Sequence, residues 1–234
     1  DIRGTIGGGT LEHRVIEDAL KLLSNGNKEL KNYVFDPNGR SGSVGLCGGA
    51  VDILMEVLRP NPTLLIVGAG HIAKPLAKIA AILEMRVVVI DDRNDWANSD
   101  RFPDADSIYI VDYEEASETL GPIPESINSS TYVVITTWGY DLPALEQALA
   151  ANPAFISLVA SPSKARELFR RLIENDVEPA TLRQVYTPAG LDIGAESPAE
   201  VALSILAEII GIQRGASGIA LREQRGEMLK QLLK

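Results

Sequence analysis

The sequence predicts an α/β fold: a doubly wound parallel sheet preceded by a small α+β domain. Two observations from Thr63 onward predict the sheet. Short apolar strand candidates ("LLIVG", "RVVVID", "SIYIV", "YVVIT" and "FISLVA") alternate with helical patterns such as "ALEQALA" and "SKARELFRRLIEN". That alternation places helices on both faces of a parallel sheet, and the strands read as unbroken Val/Ile runs because both faces are covered. The third observation is the break at Pro60-Asn61-Pro62. Proline there ends regular structure and separates an amino-terminal domain, 1–61, from a sheet domain, 62–213, and a tail, 214–234.

In the first domain, "LEHRVIEDALKLLSN" sets Leu11, Val15, Ala19, Leu22 and Leu23 at helical spacing, and Asn25-Gly26 offers the stop. "KNYVFDPNGRSGS" reads as a strand and turn, and "AVDILMEVLR" alternates as a second strand. In the sheet domain, "SPAEVALSILAEIIG" reads as a helix with Ser197 as N-cap, Pro198 at its first position and Gly211 at its end. "IALREQRGEMLKQLLK" is a charged amphipathic helix candidate interrupted by Gly226. A solvated or subunit-packing tail is the reading it suggests, and with the two-domain layout it points to a homodimer.

Composition narrows the function classes. The 234 residues are 45% hydrophobic, enough for a real core, and the formal net charge of −10 argues against nucleic acid as a partner. No apolar run approaches the ~18 residues of a membrane span, and no basic, hydrophobic leader opens the sequence. A cytoplasmic location is the expectation. The chain opens at Asp1 in the middle of an extended-looking segment, so residues upstream are expected to have been trimmed or left uncounted. The single cysteine, Cys47, excludes an intrachain disulfide and any multi-cysteine zinc site.

The most chemically informative stretch is "LLIVGAGHIAKPLAKIA". Gly68 permits a tight turn after the strand, Gly70 leaves the backbone bare for a phosphate, and Ala73 is small enough for close helix packing. The helix that follows aims free N–H groups and a positive dipole end at an anion. Asp91, about 20 residues on, stands where the dinucleotide fingerprint places a carboxylate for ribose hydroxyls. It favours a free 2′-hydroxyl, while Arg93 keeps a 2′-phosphate open, so NAD and NADP both remain candidates. His71 either donates to a phosphate or caps the helix. A purely structural turn is the alternative to a nucleotide cradle.

Hydride transfer lacks an evident apparatus. Histidine occurs only at His13 and His71, and no Tyr-x-x-x-Lys or Cys-His pairing presents itself. Two further glycine clusters stand in the first domain. In "GTIGGGTLEH", Gly7, Gly8 and Gly9 precede a helix, where backbone N–H groups can converge on an anion; a strained structural turn is the alternative. In "GLCGGAVD", Cys47 precedes Gly48 and Gly49. A solitary cysteine is most often a small buried apolar residue, and the sharper reading is a thiolate that ligates a metal or carries sulfur.

Nearly end to end, these residues resemble the xanthine dehydrogenase accessory proteins, the XdhC/CoxI family. "GTIGGGTLEHRVIEDA" resembles the family's amino-terminal glycine motif and "GLCGGAVDILMEVL" its Cys-Gly-Gly segment. "LLIVGAGHIAKPLAKIAAILEMRVVVIDDR", "RFPDAD", "SPSKARELFRRL" and "TPAGLDIGAESPAEVALSILAEI" are similar to successive pieces of its Rossmann-like carboxy-terminal domain. The resemblance implies a chaperone for molybdenum hydroxylases. Such a protein would hold the molybdenum cofactor (molybdopterin), help it acquire sulfur from a cysteine desulfurase, and deliver it to a molybdenum hydroxylase apoenzyme. By that implication Gly7 to Gly9, Glu12 and Cys47 to Gly49 are cofactor-site candidates, with Cys47 toward the metal. Two departures stand out. "TTWGYD" carries Thr137, Trp138 and Asp141 where many relatives have Thr-His and acidic residues, and relatives continue further upstream. An NAD(P)-dependent oxidoreductase and a nucleotide-sensing regulatory module are the competing classes.

Overall fold

A computed structural model of the chain describes residues 1–25, 28–36, 44, 48–58 and 61–223. They fall into two compact units, Asp1–Pro60 and Asn61–Lys234.

The first unit opens on the glycine run and enters α1 (Gly9–Asn25), followed by β1 (Lys28–Phe35) and β2 (Gly49–Glu56). The two strands form an antiparallel pair in which Lys28 faces Glu56 and Phe35 faces Gly49. Tyr33, buried on β1, donates its hydroxyl to Asp18 of α1 at 2.8 Å, and Lys31 meets the same carboxylate at 2.8 Å. Burial, then that carboxylate, pushes the Tyr33 hydroxyl up to about 12.

In the second unit the alternation read from the sequence becomes a six-stranded parallel sheet. Its first half is β3 (Thr63–Val67), α2 (Ala73–Ile82), β4 (Arg86–Asp91) and β5 (Ser107–Ile110). A small antiparallel pair, β6 (Tyr113–Glu114) and β7 (Thr119–Leu120), intervenes. The second half is β8 (Thr131–Ile135), α3 (Asp141–Ala151), β9 (Phe155–Leu158), α4 (Pro162–Glu174), β10 (Val185–Tyr186) and α5 (Pro198–Arg214). The strand order β5-β4-β3-β8-β9-β10 is that of a Rossmann fold, and it reverses between β3 and β8, where α/β sheets bind ligands beyond their carboxyl ends.

Strand residues alternate between two cores. Leu64, Ile66, Val87, Val89 and Val134 pack with α2 and α5 residues such as Leu76, Ile205 and Ile209. Leu65, Val67, Val88, Ile90, Val133 and Ile135 pack with Leu145 of α3 and Leu168 of α4. Period-two geometry thus buries the apolar residues of β3, β4, β8 and β9 on both faces, while β5 at the sheet edge leaves Ile110 exposed.

Helix ends follow from short-range chemistry. Ser197 and Glu200 form a reciprocal capping box at α5, with Pro198 in its first turn, and Ser161 accepts from the Lys164 N–H at α4. The expected stop at Gly211 is corrected: α5 runs to Arg214, and Gly215, with φ 62°, makes the left-handed turn that ends it. β10 is a further correction, since two residues are too few to leave a periodic signal in "RQVYTPAG". The amphipathic tail lies largely outside the described residues, which end at Glu223. Among the described residues no helix is long and apolar enough to cross a membrane.

Candidate functional site

The turn from β3 into α2 is pinned on both sides. The Gly68 N–H donates to the Ile90 carbonyl on β4 at 2.7 Å, and the Thr136 hydroxyl donates to the Gly68 carbonyl at 2.8 Å. A Cβ on Gly68 would lie 2.9 Å from backbone atoms of Thr136 and Thr137, and the φ of +102° is itself disfavoured for a side chain. Glycine is therefore required by β8's close approach as well as by the turn. Gly70 differs: its Cβ would meet only the Thr136 carbonyl, at 3.9 Å, so its bare face opens on free space.

Asp91 ends β4 fully buried. Its Oδ2 accepts from the Ala69 N–H at 2.6 Å and Arg93 Nη2 at 2.9 Å; its Oδ1 accepts from the Arg93 N–H at 2.9 Å and Arg93 Nε at 2.8 Å. A carboxylate has about four lone-pair sites, and all are taken. Burial alone would raise this carboxyl, but the Arg93 guanidinium and the two N–H groups outweigh it and hold it below the ordinary range. The ribose hydrogen bond expected of Asp91 thus finds no acceptor; the carboxylate instead holds the glycine turn. Its neighbour Asp92 is pushed up, by burial first and then by Asp91.

Around the turn stands a cluster that sequence reasoning missed in part. The Arg93 and Arg101 guanidiniums lie 4.7 and 4.6 Å from the Trp96 ring centroid, and His71 meets the same ring edge-on at 5.6 Å. Arg101 donates through Nε to the Trp96 carbonyl at 2.9 Å and through Nη2 to the Ala69 carbonyl at 3.3 Å. No side chain caps α2, so its first-turn N–H groups are left to a ligand or water, and His71 packs on tryptophan instead of capping. Trp96 and Arg101 sit in a polar stretch without periodicity. The legible signal is an indole between two arginines in a loop that follows a nucleotide-type strand.

A second polar group lies at the carboxyl ends of β8 and β9. Lys164 Nζ is 2.7 Å from Oδ2 of buried Asp141. Asp141 Oδ1, the Thr137 hydroxyl and the Tyr140 hydroxyl are buried with no hydrogen-bond partner, and Trp138 is 94% exposed. Burial, then the field of Asp91 and Asp92, pushes the Tyr140 hydroxyl far up, so it stays a neutral donor.

In the first unit, Gly7, Gly8 and Gly9 have φ of 111°, 73° and 68°, and a Cβ on any of them would meet nothing within 4 Å. The backbone must be left-handed there, not bare. Glu12 folds back onto the run: its Oε2 accepts from the Thr5 hydroxyl, and from the N–H groups of Ile6 and Gly8 at 3.1 Å each. These bonds, the Thr5 hydroxyl's first, lower its carboxyl. The Ile6 and Gly8 amides of the glycine run converge on the chain's own carboxylate. Gly48 and Gly49 have φ of 74° and 102°; Cys47 lies outside the described residues. Among the described residues no group of three His, Cys, Asp or Glu side chains is placed to hold a metal ion.

The strand order, the glycine turn and the parallel sheet define a Rossmann-type α/β class of domain. The model of the XdhC Rossmann domain matches residues 64–209, and the chain belongs to that family. It is 33% identical over 218 residues to "Uncharacterized protein YqeB" of Escherichia coli (strain K12), covering 93% of this chain and 39% of that one. It is 30% identical over 159 residues to a probable xanthine dehydrogenase subunit of Bacillus subtilis (strain 168), covering 68% of this chain and 45% of that one. The chain thus spans less than half the length of these curated relatives. A crystal structure of a xanthine dehydrogenase from Bacillus halodurans is similar with a TM-score of 0.54 at 21% identity, covering 91% of this chain and 83% of that one. That likeness speaks to the fold alone.

Family membership also gives the most specific motif a physical reading. In "TPAGLDIGAESPAEVALSILAEI", Gly190 (φ 94°) comes so close to α5 that its Cβ would fall 2.2 Å from the Ser204 hydroxyl. Its N–H donates to Glu208 at 3.0 Å, and the Leu191 N–H donates to the Ser204 carbonyl. The small, acidic and proline residues of the motif dock one loop onto α5 and start that helix.

Proposed function

We propose that the chain is part of an accessory protein for xanthine-dehydrogenase-type molybdenum hydroxylases, one that binds the molybdenum cofactor, assists its sulfuration by a cysteine desulfurase, and passes it to the apoenzyme. Membership of the XdhC Rossmann family carries this reading, with the name of the Bacillus subtilis relative beside it. Within that role the second unit holds a dinucleotide: pyrophosphate against Gly70 and the uncapped start of α2, adenosine toward the end of β4. The glycine run of the first unit suits the pterin phosphate, because its amides already hold a carboxylate and would exchange one anion for another. When bound, the molybdenum cofactor supplies the metal centre that takes up sulfur; the chain's own part is to hold and orient it, with the Cys47 thiolate as candidate ligand.

The test is to purify the full-length protein without air and assay molybdenum, pterin and nucleotide together. Copurifying pterin and molybdenum, lost in Cys47→Ser with nucleotide binding intact, is the expected outcome. Nucleotide without pterin would instead favour a sensing module, and substrate-dependent oxidation of a reduced nicotinamide would favour an oxidoreductase.

A further inference from the structure

The site's two ends differ in what they leave unspent, and the adenosine end is the more informative. An NAD-selective pocket needs a free carboxylate acceptor for the ribose hydroxyls at the end of the second strand. Here Asp91 occupies that position with no exposed surface and with all its acceptor sites filled by Ala69 and Arg93. Arg93 and Arg101, by contrast, each spend two side-chain donors on the protein and keep their remaining N–H groups, for a guanidinium carries about five. Both are held against Trp96, so little side-chain freedom is left to lose when they grip an anion.

We propose that this pocket selects a dinucleotide carrying a 2′-phosphate on its adenosine ribose, NADP over NAD, and that Arg93 and Arg101 hold that phosphate. The inference rests on the dinucleotide reading above and sharpens its ligand. Neutralisation of Asp91 by Arg93 removes the charge that would repel a phosphate there. Asp92, 3.5 Å from Arg93 Nε, is the opposing carboxylate, and burial together with Asp91 weakens its ionisation. Arg101 also lines a cavity of ≈170 Å³ with Lys74 and Lys78 of α2, set against Asp100 and Asp104. Guanidinium forks match phosphate oxygens in geometry as well as charge, which is where the discrimination arises.

The experiment is calorimetric titration of the full chain with NADP and with NAD. Expected is NADP binding at least about tenfold tighter, with Arg101→Gln weakening NADP by about tenfold more than it weakens NAD, so that the preference is lost. Because Arg93 also holds buried Asp91, Arg93→Lys is the companion variant, with circular dichroism to establish that it folds. NAD binding as tightly as NADP, or tighter and abolished by Asp92→Asn, would overturn the inference and leave the dinucleotide reading standing. Binding of neither would overturn both.

Discussion

Two glycine clusters, each leading into a helix, look alike in the sequence and are built on different physics. At Gly68 the chain is squeezed against neighbouring backbone, and its internal carboxylate, Asp91, is buried and fully hydrogen-bonded. At Gly7–Gly9 nothing crowds the backbone, and its internal carboxylate, Glu12, is solvated. The first cluster is a lock that shapes a binding face. The second is a nest closed by the chain's own solvated carboxylate. Burial of the nearest carboxylate thus commits one turn amide, Ala69, to structure in the first cluster, while in the second a solvated carboxylate occupies the amides of Ile6 and Gly8.

The sharpest way to break this contrast is substitution of the glycines. Gly68→Ala must push a methyl into backbone atoms that cannot swing aside, and also hold a left-handed φ, so the second unit should lose about 3 kcal/mol or more in urea unfolding. Next comes Asp91→Ala, which strands the buried Ala69 N–H and the Arg93 clamp and should cost ~2 to 3 kcal/mol. The lowered Asp91 carboxyl makes this stabilisation pH-dependent. It is fully present above the unfolded-state value of about 4 and is lost as pH falls through the folded-state value, so Asp91→Ala should remove that part of acid destabilisation. Gly8→Ala meets no neighbour and pays only for its left-handed backbone, about 1 kcal/mol. Smallest is Glu12→Gln, which should leave the unfolding midpoint in place while strengthening inorganic phosphate binding in the first unit, read by phosphorus NMR. Equal losses from Gly68→Ala and Gly8→Ala would erase the distinction.

Much of the fold is legible in the sequence because its information is local or periodic. The five longer strands of the parallel sheet announce themselves as apolar runs, and Ser197 and Pro198 mark the start of α5 within four residues of chain. What escapes depends on contacts between distant positions. Arg93, two residues on, supplies three of the four hydrogen bonds to Asp91, but the one that ties it to the glycine turn comes from the Ala69 amide 22 residues away, which no local pattern shows. Arg101 reaches back 32 residues to Ala69, and Lys164 meets Asp141 only once α4 is packed. Gly211 reads as a stop, yet a helix tolerates one glycine; the true end needs the left-handed φ that Gly215 adopts. At the candidate site the glycines can be read directly, while the state of their carboxylate partners cannot.

The central claim is that the turn at Gly68–Gly70 is a preformed cradle for a dinucleotide while the Gly7–Gly9 run is a nest of another kind. Amide-resolved hydrogen exchange on the full chain, with and without saturating NADP, tests it most directly. Expected is slow exchange at Ala69 in both states, protection gained from Gly70 to Lys74 only with nucleotide, and no change from Ile6 to Gly9. Protection appearing at Ile6 to Gly9, or none at Gly70 to Lys74, would contradict it.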